Sequence, residues 1–129
     1  MKIKMIIFLS ALIISLYIAY SYVYQSHRDI RKEKPKFFIS SDSLHHHFAQ
    51  QQQQQKSHNL YMNQVLVVEG TILSLSQQMI MLKPGISCLK DSSSEFNLIN
   101  VGDRVTIKAR CIGYDDLFGE VKMDQSTLN

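Results

Sequence analysis

The chain has 129 residues, a formal net charge of +3 and two cysteines, which allows one modest domain. The charge is unevenly distributed. Residues 1–36 carry seven Lys or Arg against two acids, a net +5, whereas residues 37–129 carry seven against nine, a net −2. Since a nucleic-acid-binding domain gains most of its affinity by neutralising phosphates, the mildly acidic main part of the chain disfavours that class of function.

The N-terminal stretch predicts a membrane-spanning helix. Met5 to Tyr24 contains no charged residue and follows Lys2 and Lys4. A helix of about 20 residues rises about 30 Å, roughly the thickness of the hydrocarbon layer.

A cleaved signal peptide is the alternative for this stretch, because Ala19 to Ser21 offers small residues at the spacing of a cleavage site. The apolar run continues to Val23, however, and the tyrosines around it are typical of an interfacial aromatic belt. An uncleaved anchor is therefore the preferred interpretation.

The orientation of this anchor has conflicting signals. The basic residues in 28–36 favour a cytoplasmic domain under the positive-inside rule, whereas a short basic N-terminus before an apolar core is typical of export. We expect a single-pass inner-membrane protein with a periplasmic domain. The predicted segments are 1–27 as transmembrane anchor or signal, 28–39 as charged linker, and 40–129 as a helix plus barrel domain.

A single amphipathic helix is predicted after the linker, because Leu44 and Phe48 stand four residues apart and no Gly or Pro follows until after residue 59. The helix contains the histidines 45–47 and the glutamines 50–55. Neighbours on a helix point about 100° apart, so three consecutive histidines cannot ligate one metal ion. The histidines are interpreted as a solvated helix face without a metal site, and the glutamines as an extension of the same helix that performs no chemistry.

Five β-strands are predicted in the remainder, over 65–75, 79–83, 86–90, 104–114 and 120–125. The first contains Gly70, which favours a bend or bulge. Alternation in the last two strands predicts an inward face. Its members are Val105, Ile107, Ala109, Cys111, Val121 and Met123.

The acidic pair Asp115 and Asp116 lies in "DDLFG", between two predicted strands. Aspartate favours turns by accepting hydrogen bonds from nearby backbone, and Gly119 gives a permissive joint. Two carboxylates at a loop tip make a poor metal site or acid/base pair. No nucleophile–histidine, zinc or phosphate-loop pattern occurs at a usable spacing, so we expect neither catalytic activity nor a cofactor.

The order of a helix, a long glycine-bent strand, two shorter strands and a closing hairpin is that of a five-stranded OB-type barrel. Within it, "LYMNQVLVVEGTILSL", "GISCL" and "GDRVTIKARCIGYDDLFGEVKMDQS" resemble the bacterial tRNA-anticodon-like OB family over roughly residues 40–128. The resemblance implies a mainly β fold with helix behind a membrane anchor, but no established activity. Members of that family often carry a cysteine where this chain has Ser126, which argues against a cross-link from Cys111 to the last strand.

The two cysteines leave two alternatives. In an oxidising periplasm, Cys88 and Cys111 could form a disulfide that closes a loop of about 23 residues and stabilises the fold by about 3 kcal/mol. In the cytoplasm they are expected to be buried thiols.

These features predict a membrane-tethered binding module for a protein or oligosaccharide ligand. The candidate binding surface consists of Lys108, Arg110 and Tyr114 on the outward face of one strand, with Phe118 at the hairpin tip. The alternative function is single-stranded nucleic-acid binding, which needs stacking aromatic residues in a positive groove.

Overall fold

The computed structural model describes residues 1–24 and 28–129. Its first element, α1 (Lys2–Val23), is long and apolar enough to cross a membrane, with a mean hydropathy of 2.1. None of its residues is buried. The exposed apolar surface all around this helix is typical of a helix that lipid surrounds.

The other elements occur in the order of one short strand, two helices and five strands. They are β1 (Phe37–Ser40), α2 (Ser41–Ala49), α3 (Gln51–Tyr61), β2 (Val65–Leu75), β3 (Met79–Leu82), β4 (Ile86–Lys90), β5 (Arg104–Asp115) and β6 (Glu120–Leu128).

Strands β2 to β6 form a closed five-stranded barrel in the order β2–β3–β4–β6–β5, and pairing of β5 with β2 closes the circle. The β4–β6 pair is parallel, whereas β2–β3, β3–β4, β2–β5 and β5–β6 are antiparallel. This is the strand order of an OB-type barrel, so the predicted fold class is confirmed.

The predicted inward face of the last two strands is confirmed, because Ile107, Ala109, Cys111, Val121 and Met123 are all buried. Val105 is half-buried and packs against the same core. The core extends to residues from β2, β3, β4, α2 and α3. These are Leu66, Val68, Ile72, Ile80, Leu82, Ile86, Cys88, Leu44, Phe48 and Tyr61.

Strand β1 was not predicted from the sequence. It pairs in parallel with β2, from Phe37 opposite Leu66 to Ser40 opposite Glu69. Phe37 and Ile39 pack against the core. The first three residues of β1 fall in the predicted linker and Ser40 falls in the predicted domain. So short a run after Pro35 shows no recognisable alternation of apolar and polar residues.

The predicted single amphipathic helix is two helices, which separate at Gln50 in an extended conformation (φ −76°, ψ 111°). Ser40 caps the first helix, since its hydroxyl accepts a hydrogen bond from Ser43 N at 3.2 Å. Leu44 and Phe48 are the buried face of α2. The break allows α3 to fold back against α2. The Ser57 hydroxyl on α3 donates a hydrogen bond to His47 O on α2 at 2.8 Å.

Gly70 brings the start of α2 into direct contact with β2. A Cβ atom at this position would lie 2.4 Å from Ser41 Oγ and 2.8 Å from Ser41 Cβ. Both residues are buried. Because no real Cβ approaches so closely, the absence of a side chain at residue 70 allows the helix to close this side of the barrel.

We expect Gly70→Ala to lower the free energy of unfolding by about 1–3 kcal/mol through overpacking. In a Ser41→Gly background, the clashing atoms are absent and the same substitution is expected to cost much less. Chemical denaturation of the four proteins of this double-mutant cycle measures the coupling. An equal cost of Gly70→Ala in both backgrounds would contradict the proposed contact.

Candidate binding surface and the cleft beside the hairpin

The two basic residues of the predicted surface are engaged by other parts of the chain. Lys108 Nζ donates to Arg31 O at 2.9 Å. Arg110 makes a bidentate ion pair with Asp124, with Nε at 2.9 Å from Oδ1 and a second bond from Nη2 to Oδ2. This hydrogen bonding to Asp124 raises the pKa of Arg110. Arg110 is therefore partly neutralised by a carboxylate, whereas the Lys108 ammonium is bound by a neutral backbone carbonyl.

Tyr114 does not lie on the outward face, and this part of the prediction is wrong. A register shift between Cys111 and Gly113 makes Ile112 an extra residue on β5, so the alternation reverses after it. Tyr114 consequently stands opposite buried Val121 and stacks on Phe48, with ring centroids 5.8 Å apart.

Phe118 lies at the hairpin tip as predicted, and 74% of it is exposed. The tip is a turn over residues 116–119. Asp115 Oδ1 accepts from Leu117 N at 3.0 Å and from Phe118 N at 3.4 Å, which confirms the turn-forming role of this carboxylate. The four predicted surface residues thus lie in three different environments rather than in one patch.

The three consecutive histidines point to different partners, as their helical spacing requires. His45 Nε2 donates to Gly119 O at 2.7 Å and so ties α2 to the hairpin. His47 Nδ1 lies 3.1 Å from the Tyr61 hydroxyl and its ring stacks on Tyr61. The prediction that this tract is a solvated face is therefore wrong for His45 and His47. It is correct for His46, which is exposed.

A cleft of about 460 Å³ lies between α3 and the hairpin. Gln51, Gln54, Gln55 and His58 line one wall at helical spacings of i, i+3, i+4 and i+7. The other lining residues are Phe48, Tyr114 and Asp116. Gln54 Nε2 donates to Asp116 Oδ1 at 2.6 Å and so joins the two walls.

Sequence reasoning missed this cleft because the glutamine tract was interpreted only as helix extension. The one available signal was the spacing of Gln51, Gln54, Gln55 and His58, which places them on one face of a helix. That face is polar, and a polar helix face does not by itself predict which part of the fold will lie next to it.

Among residues 1–24 and 28–129, no group of three or more His, Cys, Asp or Glu side chains could hold a metal ion.

Cys88 and Cys111 are both free, and they lie on the two strands that flank β6. Each pairs with Met123. Because neighbouring strands lie about 4.8 Å apart, the two Cα atoms are separated by roughly 10 Å. A disulfide needs Cα atoms within about 7 Å, so of the two alternatives the Cys88–Cys111 disulfide does not fit this barrel, and both residues are buried thiols.

Burial raises the pKa of the Cys88 thiol to about 12 and that of Cys111 to about 11. The neighbour of Cys88 is Ser126, whose hydroxyl partly offsets this rise. Ser126 is fully buried, and its hydroxyl has no hydrogen-bond partner of good geometry in the described parts of the chain. The position that often carries cysteine in the resembled family therefore lies beside Cys88, not beside Cys111.

Comparison of the chain with protein-family models, with curated proteins and with solved structures gives no match. The resemblance to the tRNA-anticodon-like OB family thus remains a prediction.

We expect neither cysteine to react with a soluble thiol reagent in the folded protein at pH 8, and both to react after unfolding in guanidinium. Burial excludes the reagent and the raised pKa values keep both thiols protonated. Spectroscopic thiol counting under the two conditions measures this. Reaction of one thiol in the folded state would contradict the described burial.

The same thiols should make stability fall at alkaline pH. Both folded-state pKa values exceed the ordinary value of 9.0, so the folded state retains protons that the unfolded chain releases as the pH rises above 9. Unfolding free energies measured from pH 8 to pH 11 are expected to decrease more steeply in the natural chain than in a Cys88→Ala, Cys111→Ala variant. Equal slopes would refute this assignment.

Proposed function

We propose that this protein is a membrane-tethered binding module whose OB-type barrel and helices α2 and α3 bind an oligosaccharide in the cleft beside the hairpin. Helix α1 serves as an uncleaved inner-membrane anchor, and the domain lies in the periplasm. The observation that carries the proposal is the cleft itself, which combines an amide-rich wall with an aromatic residue and a carboxylate.

The chemistry of the lining favours a neutral ligand with many hydroxyl groups. Each glutamine amide offers two donors and an acceptor, and a carboxylate accepts from hydroxyls. Tyr114 adds an aromatic surface on which the C–H faces of a sugar ring can pack. The volume of about 460 Å³ is within the usual range for small-ligand sites, and OB-type barrels commonly bind oligosaccharides.

The nucleic-acid alternative has less support. On β5, Arg104 pairs with Glu69 and Arg110 pairs with Asp124. Phosphate binding would have to compete with these carboxylates for the same guanidinium groups. Among the described residues, the cleft lining includes one carboxylate and no Lys or Arg.

The double variant Gln51→Ala, Gln55→Ala is expected to weaken oligosaccharide binding. Loss of two hydrogen bonds of about 1 kcal/mol each corresponds to a roughly thirtyfold increase in Kd. Isothermal titration of the full-length protein in lipid nanodiscs with short chitin-derived and glucan-derived oligosaccharides measures the effect.

Gln52→Ala is the matched control, because Gln52 is exposed on the same helix but does not line the cleft. Its Kd is expected to equal that of the natural chain. Similar losses in both variants would place binding elsewhere, and no binding of any oligosaccharide would refute the ligand class. A single-stranded oligonucleotide that binds in a salt-dependent manner would favour the alternative function.

Membrane attachment and orientation are tested separately. Fusions of alkaline phosphatase and of green fluorescent protein after Asn129 are expected to give an active phosphatase and a dark fluorescent protein in the membrane fraction. The intact mass should include residues 1–24. A fluorescent membrane fusion would reverse the proposed orientation, and loss of the N-terminal residues would identify a signal peptide instead.

A further inference from the structure

The tip of the β5–β6 hairpin exposes two adjacent large apolar side chains. Leu117 is 92% exposed and Phe118 is 74% exposed. Single exposed apolar residues are common on protein surfaces. Two together at the end of a projecting hairpin form an apolar knob that water solvates poorly.

The hairpin tip lies at the end of the barrel where the chain arrives from α1. Arg28 Nη1 donates to the carbonyl and to the side-chain oxygen of Asn63, both at 3.1 Å. Asn63 N in turn donates to Cys111 O at 2.8 Å. Leu117, at the tip, is six residues after Cys111, so the two residues are at most about 20 Å apart.

The direction of the chain supports the same arrangement. Arg31 O accepts from Lys108, whereas Arg28 lies beside Asn63, next to the later residue Cys111 of β5. Residue 31 therefore contacts β5 at Lys108, and residue 28 contacts the chain beside Cys111, which is three residues nearer the hairpin tip. Tyr24, which directly follows α1, is four residues before Arg28, so their Cα atoms are at most about 14 Å apart.

We propose that Leu117 and Phe118 insert into the interface of the same membrane that α1 crosses, an inference that rests on the proposed role of α1 as an anchor. The surface that the tip contacts is thus a lipid bilayer. Short covalent reach keeps this end of the barrel near the bilayer, and interfacial insertion of apolar side chains needs a depth of only about 5–10 Å.

The insertion is driven by the apolar side chains rather than by attraction to anionic headgroups. Asp115, Asp116 and Glu120 flank the tip, and Lys122 is paired with Glu120. Lys122 Nζ lies 5.8 Å from the centre of the Phe118 ring. Neutral phosphatidylcholine is therefore a suitable lipid for the test.

The natural chain contains no tryptophan, so single-tryptophan variants report one position each. The variants are Phe118→Trp at the tip, Tyr22→Trp on α1, and Val101→Trp as a control. Val101 is 61% exposed and precedes the start of β5, whereas Phe118 follows its end, so the 12-residue strand separates the two positions. Full-length proteins are reconstituted in phosphatidylcholine vesicles with plain or brominated acyl chains.

Phe118→Trp is expected to show blue-shifted emission and quenching by brominated lipid, as Tyr22→Trp does, whereas Val101→Trp shows neither. Quenching of Tyr22→Trp without quenching of Phe118→Trp would overturn the tip contact and leave the anchor intact. If Tyr22→Trp is not quenched, the proposed anchor fails and the tip contact fails with it. A blue shift of Phe118→Trp without bromine quenching would also overturn the proposal, because a second copy of the chain would then cover the tip.

Discussion

Strand β2 hydrogen-bonds along both of its edges, to β5 on one side and to β1 and then β3 on the other. This double pairing closes the barrel, because the β2–β5 pairing joins the two ends of the strand order β2–β3–β4–β6–β5. It also leaves β2 buried along its first half. The lack of a side chain at Gly70 lets Ser41 pack against this strand, so the position of α2 depends on the same constraint.

The position of α2 in turn determines the cleft. His45 is hydrogen-bonded to Gly119 in the hairpin, and Ser57 is hydrogen-bonded to His47 across the break at Gln50. These contacts hold α3 beside the hairpin with its glutamine face directed at Tyr114 and Asp116. A glutamine tract of low complexity, together with His58, thus builds one wall of the cleft that we propose as the ligand site.

The bulge at Ile112 separates the two faces of the hairpin. Before it, Lys108 and Arg110 lie on the outer face and contact the residues that follow the anchor or the neighbouring strand. After it, Tyr114 turns inward onto Phe48. One extra residue therefore removes the aromatic ring from the basic residues and transfers it to the cleft, which favours a neutral ligand over a phosphate-bearing one.

The sequence by itself determined the apolar first helix, the positions of the five barrel strands along the chain and the inward face of β5 and β6. These follow from run length and from a period of two, which are local properties. Tertiary structure decided β1, the break at Gln50, the side on which Tyr114 lies and the separation of Cys88 from Cys111. β1 depends on pairing with β2, and the break at Gln50 on the packing of α3 against α2. The side on which Tyr114 lies and the separation of the cysteines depend on the pairing of strands that are distant in sequence, since a shift of one residue reverses a face and one intervening strand moves two cysteines beyond bonding distance.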